Sequence, residues 1–241
     1  MPTDVRCLVE TDESSAVVRL TGVLDLAAVD AVRDALLARL WARPGPVIAD
    51  LTRLRVAEPA ARAVLDEVRR VVADWPAADL LVLDPAAARE GAPVRATLDE
   101  AQEELAGAPL AAVLNADLLP TVGAAREARA LVTDGCDRWG VPELAEPACI
   151  AVTEMVNNVV AHAGTPMTVR VAPRDSSLHL AVRDHSSRLP AYAGLAPLNS
   201  AGGRGLLLID TVARRWGSTP LPDGKVVWCV LHPEDEVAHR S

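Results

Sequence analysis

One helix constrains this chain more than any other segment. Ile150 to Gly164 reads IAVTEMVNNVVAHAG and places Glu154, Asn158 and His162 four residues apart, on one helical face. Ile150, Val152, Met155, Val156, Val159 and Val160 supply an apolar cover for the other side. A carboxylate, an amide and an imidazole in line, with no other charge on the stripe, suit the wall of a polar pocket better than a solvated face. Two later segments belong with it. An alternating, strand-like run ends at Asp184 and continues as His185-Ser186-Ser187-Arg188. Gly202-Gly203-Arg204-Gly205-Leu206 is a glycine turn running straight into an apolar helix. Backbone N–H groups at such a helix start suit phosphate.

Composition narrows the partners. The 241 residues suffice for one large domain or two ordinary ones, and a hydrophobic share of 50% secures a buried core. With no phenylalanine and a single tyrosine, that core must be built from Ala, Val and Leu, with tryptophan as its large aromatic. Lys225 is the only lysine; the other cationic side chains besides histidine are arginine. A net charge of −9 without a basic cluster argues against nucleic acid and against anionic membrane as partners. Cys7, Cys136, Cys149 and Cys229 show no C-x-x-C pairing and read as buried thiols. No basic-then-apolar signal opens the chain and no apolar run is long enough to span a bilayer, so a cytoplasmic location is expected.

In this order and spacing, the three C-terminal segments resemble the GHKL ATPases (the Bergerat fold), and most of all the anti-sigma factor serine kinases of actinobacteria. The E-x-x-x-N box is Glu154-Met-Val-Asn-Asn158, the D-x-S/G box is Asp184-His-Ser186, and the G-x-G-L box is Gly203-Arg-Gly205-Leu206. The tail ARRWGSTPLPDGKVVWCVL is similar to that branch's closing hairpin. The resemblance covers about Pro120 to Pro233. It implies an α/β sandwich with helices on one face of a mixed sheet, binding ATP with Mg2+. Glu154 would be the general base and Asn158 a magnesium ligand. Asp184 would accept the adenine exocyclic amine, Ser186 and His162 would border the nucleotide, and Gly202, Gly203, Arg204, Gly205 and Leu206 would meet the phosphates. The residues from Arg188 to Ala201 would form a lid. The family usually carries a hydroxyl after the glycine, or glycine-lysine, of the closing hairpin; Val226 stands there instead, an expected loss of about 1 kcal/mol.

The first half carries its own pattern. Val5, Cys7 and Val9 alternate, Val17 to Leu20 follow, and Thr21 to Asp25 reads as a turn. Leu26 to Trp41 has helical spacing, broken by Pro44-Gly45-Pro46. Val47 to Leu51 is a short strand, Pro59 to Val72 a helix with proline in its first turn, Leu80 to Leu83 a strand, and Val94 to Leu105 a helix. Such alternation predicts a sheet with packed helices. VVRLTGVLDL and VIADLTRLRV resemble the STAS domains of anti-sigma factor antagonists. Where that family has Asp-Ser-x-Gly, this chain has Glu58-Pro59-Ala60-Ala61, and Pro59 offers no hydroxyl for a phosphate.

Two α/β domains are therefore expected, 1–116 and 117–241. Leu110 to Pro120 would hold the join, finishing the first domain with a short strand, and Ala124 to Trp139 would form a helix. The resemblance implies an ATP-dependent serine/threonine protein kinase of the anti-sigma type, phosphorylating a separate STAS antagonist in a partner-switching pathway that regulates transcription. Its partners would be that antagonist, a sigma factor, or a second copy of the chain. The alternative is a non-catalytic, nucleotide-gated binding module in which the degenerate STAS half serves as cis inhibitor or dimerisation arm.

Overall fold

Residues 7–12, 15–107, 112–188 and 204–233 are described by a computed structural model. The chain divides into two compact units, one within residues 1–111 and one from Ala112 onward, with Asp74–Ala77 grouped with the second. Among the described residues no helix is long and apolar enough to cross a membrane.

In the first unit the strands are β1 (Leu8–Thr11), β2 (Val17–Leu24), β3 (Gly45–Val56) and β4 (Ala78–Leu83), in the order β1-β2-β3-β4. The first pair is antiparallel and the others are parallel. The helices are α1 (Val29–Ala42), α2 (Ala63–Val72), the short α3 (Pro85–Arg89) and α4 (Leu98–Gly107). Strand alternation gives the sheet two apolar faces. Val17, Ile48, Leu81 and Leu83 meet Ala101, Leu98 and Leu105 of α4. Val18, Leu20, Val47, Ala49, Leu80 and Val82, all buried, face the other way, toward α1 and α2. Thr21 to Leu24, expected as a turn, instead continue β2 beyond a register shift at Arg19/Thr21, because parallel pairing with Arg53 to Val56 extends the ladder. β1 is mostly exposed, so its alternation does not mark a buried face.

Pro59 opens a 3-10 turn, Pro59–Arg62, that leads into α2. It is exposed, and Arg62 just beyond it pairs with Asp84. Asp84 also caps α3 by accepting from the backbone N–H groups of Ala86 and Ala87. Burial pushes the Asp84 carboxyl up, but Arg62 and those two N–H groups outweigh it and hold it below the usual carboxylate range.

The second unit has β5 (Leu114–Leu118), α5 (Ala124–Trp139), α6 (Ala145–Asn158), β6 (Met167–Arg174), β7 (Ser177–Asp184), α7 (Arg204–Val212), β8 (Arg215–Leu221) and β9 (Gly224–Leu231). Among the described residues its strands run in the order β5-β6-β7-β9-β8. Every neighbouring pair is antiparallel, so the sheet is not the mixed one expected. β7 and β8 run the same way and are joined through α7, but β9 lies between them and pairs antiparallel with both, so no two neighbouring strands are parallel. The helices do lie on one face. Val132 and Cys136 of α5, Val152, Met155 and Val156 of α6, and Leu206 and Ile209 of α7 share one core with Val169, Leu180, Val182 and Cys229 of the sheet. β5 belongs here and not to the first unit, since Leu114 to Leu118 pair with Val171 to Met167. A division at 116/117 would cut that strand in two.

Candidate functional site

Four chain segments meet at one end of the second sheet. α6 ends at Asn158 and its last turn widens into a π turn, Val159–Ala163, closed by Gly164 at φ 63°. Three residues later β6 begins at Met167, which lies opposite Asp184, the last residue of β7. Asp184 in turn lies opposite Lys225, the second residue of β9. The backbone N–H of His185 donates to Thr165 Oγ1 at 3.2 Å, tying the turn after α6 to the turn after β7.

Glu154 and Asn158 lie one α-helical turn apart, both half-buried. His162 falls in the π turn and is exposed, so the α-helical spacing that relates Glu154 to Asn158 does not continue to it. Such π turns gather at functional sites.

Asp184 is 2% exposed. Its Oδ1 accepts from the backbone N–H of Ser186 at 2.8 Å. The ammonium of Lys225 lies 2.9 Å from Oδ1 and 2.8 Å from Oδ2, and 3.3 Å from the carbonyl of Ser186. Ser186 Oγ accepts from the N–H of Arg188. Ser186 thus shapes the turn that grips Asp184. Gly224 makes the approach of β9 possible: at φ 148°, a Cβ there would overlap Asp184 O and lie 2.8 Å from His185 Cα. Beside this pair, Arg183 grips Asp223 in the hairpin turn through two bonds of 2.6 and 2.7 Å.

Strand alternation turns Val226 to the opposite face from Lys225, where it is fully buried beside Arg183 and Thr219 in register. The absent hydroxyl at Val226 therefore takes nothing from Asp184. The side chain beside Asp184 is Lys225, which the motifs did not single out. Its signal was its rarity, as the only lysine in the chain.

Arg204 and Gly205 begin α7, and the Leu206 side chain is buried in the core, so only backbone at Leu206 is left for a ligand. Gly202, Gly203 and the lid segment 189–201 lie outside the described residues. Among the described residues no group of three or more His, Cys, Asp or Glu side chains could hold a metal. A single amide oxygen such as that of Asn158 still fits Mg2+, which keeps several waters and takes the rest of its shell from phosphate.

Antiparallel sheet, one-sided helices and a carboxylate closing the third strand define a GHKL-type ATPase domain, and residues 118–231 match the family described as histidine kinase-like ATPase domain. The chain is also 37% identical over 82 residues to an uncharacterized protein of Streptomyces coelicolor, across 32% of this chain and 78% of that one. The chain belongs to the same family as that protein. A crystal structure of an anti-sigma factor antagonist from Mycobacterium paratuberculosis is similar at 20% identity and a TM-score of 0.33, covering 42% of this chain and 92% of that one. No conclusion about this chain follows from a likeness of that size.

Proposed function

We propose that this chain is a nucleotide-binding regulator of the anti-sigma type and that its second unit is an ATP-dependent serine protein kinase acting on a separate STAS-domain antagonist. The observation that carries the reading is the buried Asp184 carboxylate at the end of β7, followed by a turn bonded to the turn after α6, in a domain that matches the histidine kinase-like ATPase family.

Each residue has a distinct task in that reading. Asp184 accepts a hydrogen bond from the exocyclic amine of the base. Asn158 would hold Mg2+, which when bound spreads the phosphate charge. The start of α7 offers N–H groups to the phosphates. Glu154 orients and deprotonates the serine hydroxyl of the antagonist, the usual role of a carboxylate in phosphoryl transfer. Mixing the full chain, labelled ATP and a STAS antagonist tests this. Transfer from wild type with a loss of about 100-fold or more in Glu154→Ala is expected. Equal transfer by the two proteins refutes the role of Glu154, and no transfer by wild type refutes the kinase.

Pro59 favours a second reading. Without a hydroxyl at the exposed turn before α2, the first unit cannot accept phosphate there, which suits a cis inhibitor or dimerisation arm in a non-catalytic module. Unchanged partner affinity after deletion of residues 1–111 would remove that role.

A further inference from the structure

Lys225 is the only lysine of the chain, and its side chain is 8% exposed against an Asp184 side chain that is 2% exposed. Nζ donates to Oδ1 of Asp184 at 2.9 Å and stands 2.8 Å from Oδ2 as an ion pair. It is thus nearly equidistant from the two oxygens and occupies the position facing both. Oδ1 also accepts from the backbone N–H of Ser186, and Nζ reaches the carbonyl of Ser186 at 3.3 Å. The register of β9 against β7, which Gly224 permits, fixes Lys225 there. The charge of Asp184 is therefore compensated by the chain's own side chain.

We propose that Lys225 is an autoinhibitory contact: its ammonium holds the place at Asp184 that the amine of the base needs, and ATP binds only by displacing it. The proposal rests on the nucleotide reading above and adds a regulation to that site. An amine nitrogen must come within about 2.7–3.2 Å of a carboxylate oxygen to donate to it. Facing the two oxygens it would meet Nζ, and an ammonium offers no acceptor. With Asp184 2% exposed, no other approach from solvent is open. The exchange is also unfavourable in itself. The incoming amine is neutral, whereas the group it replaces is a cation, and a charge-assisted bond is the stronger. Separating a buried pair leaves a charge without its counter-ion, which is strongly destabilising. Contacts to the phosphates must offset that loss, so the affinity for ATP is held down.

Two measurements on the full chain test this. A single lysine gives a single side-chain ammonium signal in a protein whose lysine carries a nitrogen-15 label. Free wild type should show the slowly exchanging signal of a buried ion pair. Mg-ATP, added to saturation as read by calorimetry, should move that signal to the position of a solvated lysine. Lys225→Thr removes the ammonium and shifts the cost of an uncompensated carboxylate from the bound to the free protein. It should therefore bind Mg-ATP at least about tenfold more tightly than wild type. An ammonium signal unchanged at saturating Mg-ATP overturns the proposal, and so does equal or weaker binding by a folded Lys225→Thr protein. If that variant does not fold, the wild-type signal decides alone. Either failure, seen with ATP bound, leaves the nucleotide reading standing and removes only the autoinhibition. Binding by Lys225→Thr and not by wild type supports the displacement most strongly. Binding by neither removes both.

Discussion

Gly224→Ala is expected to be the most damaging single-methyl change in the second unit. Two costs add. The backbone there sits at φ 148°, a region that L side chains rarely adopt, and holding a non-glycine residue in such a conformation costs about 1–3 kcal/mol. The new Cβ would also overlap Asp184 O and lie 2.9 Å from Asp184 C and 2.8 Å from His185 Cα. Those atoms are backbone of the paired strand, so no flexible side chain can swing aside, and overpacking of this kind costs a further ~1–3 kcal/mol. The sum, about 2–6 kcal/mol, is a large part of the ~5–15 kcal/mol that holds a typical domain together. Gly140→Ala is the internal control. Gly140 ends α5 at φ 68°, and a Cβ there meets nothing within 4 Å, so only the strain of about 1–3 kcal/mol remains. Hydrogen exchange of the β7 and β9 amides reads the second unit without interference from the first. Protection in Gly224→Ala should fall well below that in Gly140→Ala. Equal losses in the two variants would refute the argument that backbone overlap at Asp184 governs this corner.

Two further outcomes follow from buried titratable groups. The Asp84 carboxyl is held low in the folded state, so its stabilising contribution is complete above the unfolded value of about 4 and is lost as pH falls through the lower folded value. In acid titrations followed by hydrogen exchange in β4, wild type should lose more stability below about pH 4 than Asp84→Asn, which is less stable at neutral pH; parallel curves would refute this. Burial pushes the Cys136 thiol up to about 11 and the Cys229 thiol higher still, whereas Cys149 is only partly buried. Iodoacetamide at pH 8 should therefore label Cys149 well ahead of Cys136 and Cys229, and labelling of all three at one rate would overturn that order.

Much of the second unit was legible because its chemistry is local. Apolar spacing marked Ala124 to Trp139 and the helix bearing Glu154 and Asn158, and a strand ending in a carboxylate marked Asp184. Relations between distant segments were not legible. The five residues of β5 carry no sign of which sheet they join, and pairing with β6 decides it. The turn expected at Thr21 to Asp25 is a strand because β3 supplies a ladder for it. The π turn before Gly164 has no residue signature that separates it from a continuing α-helix. A lysine after a hairpin turn is ordinarily solvated, so the sequence gives Lys225 no partner. Only the Asp184–Lys225 register reveals it as the counter-ion of the buried carboxylate. Cys7 and Cys149, expected to be buried, are only partly so.

The strand order of the second sheet has a consequence for biosynthesis. β9 is inserted between β7 and β8 although both precede it on the chain. Asp184 is therefore made 41 residues before the cation that neutralises it. At ribosomal speeds of roughly 5–20 residues per second, the nascent strand spends a few seconds with an unpaired edge and an uncompensated carboxylate. This corner of the molecule cannot mature vectorially with the growing polypeptide; it snaps into place only when the closing hairpin emerges and zips in.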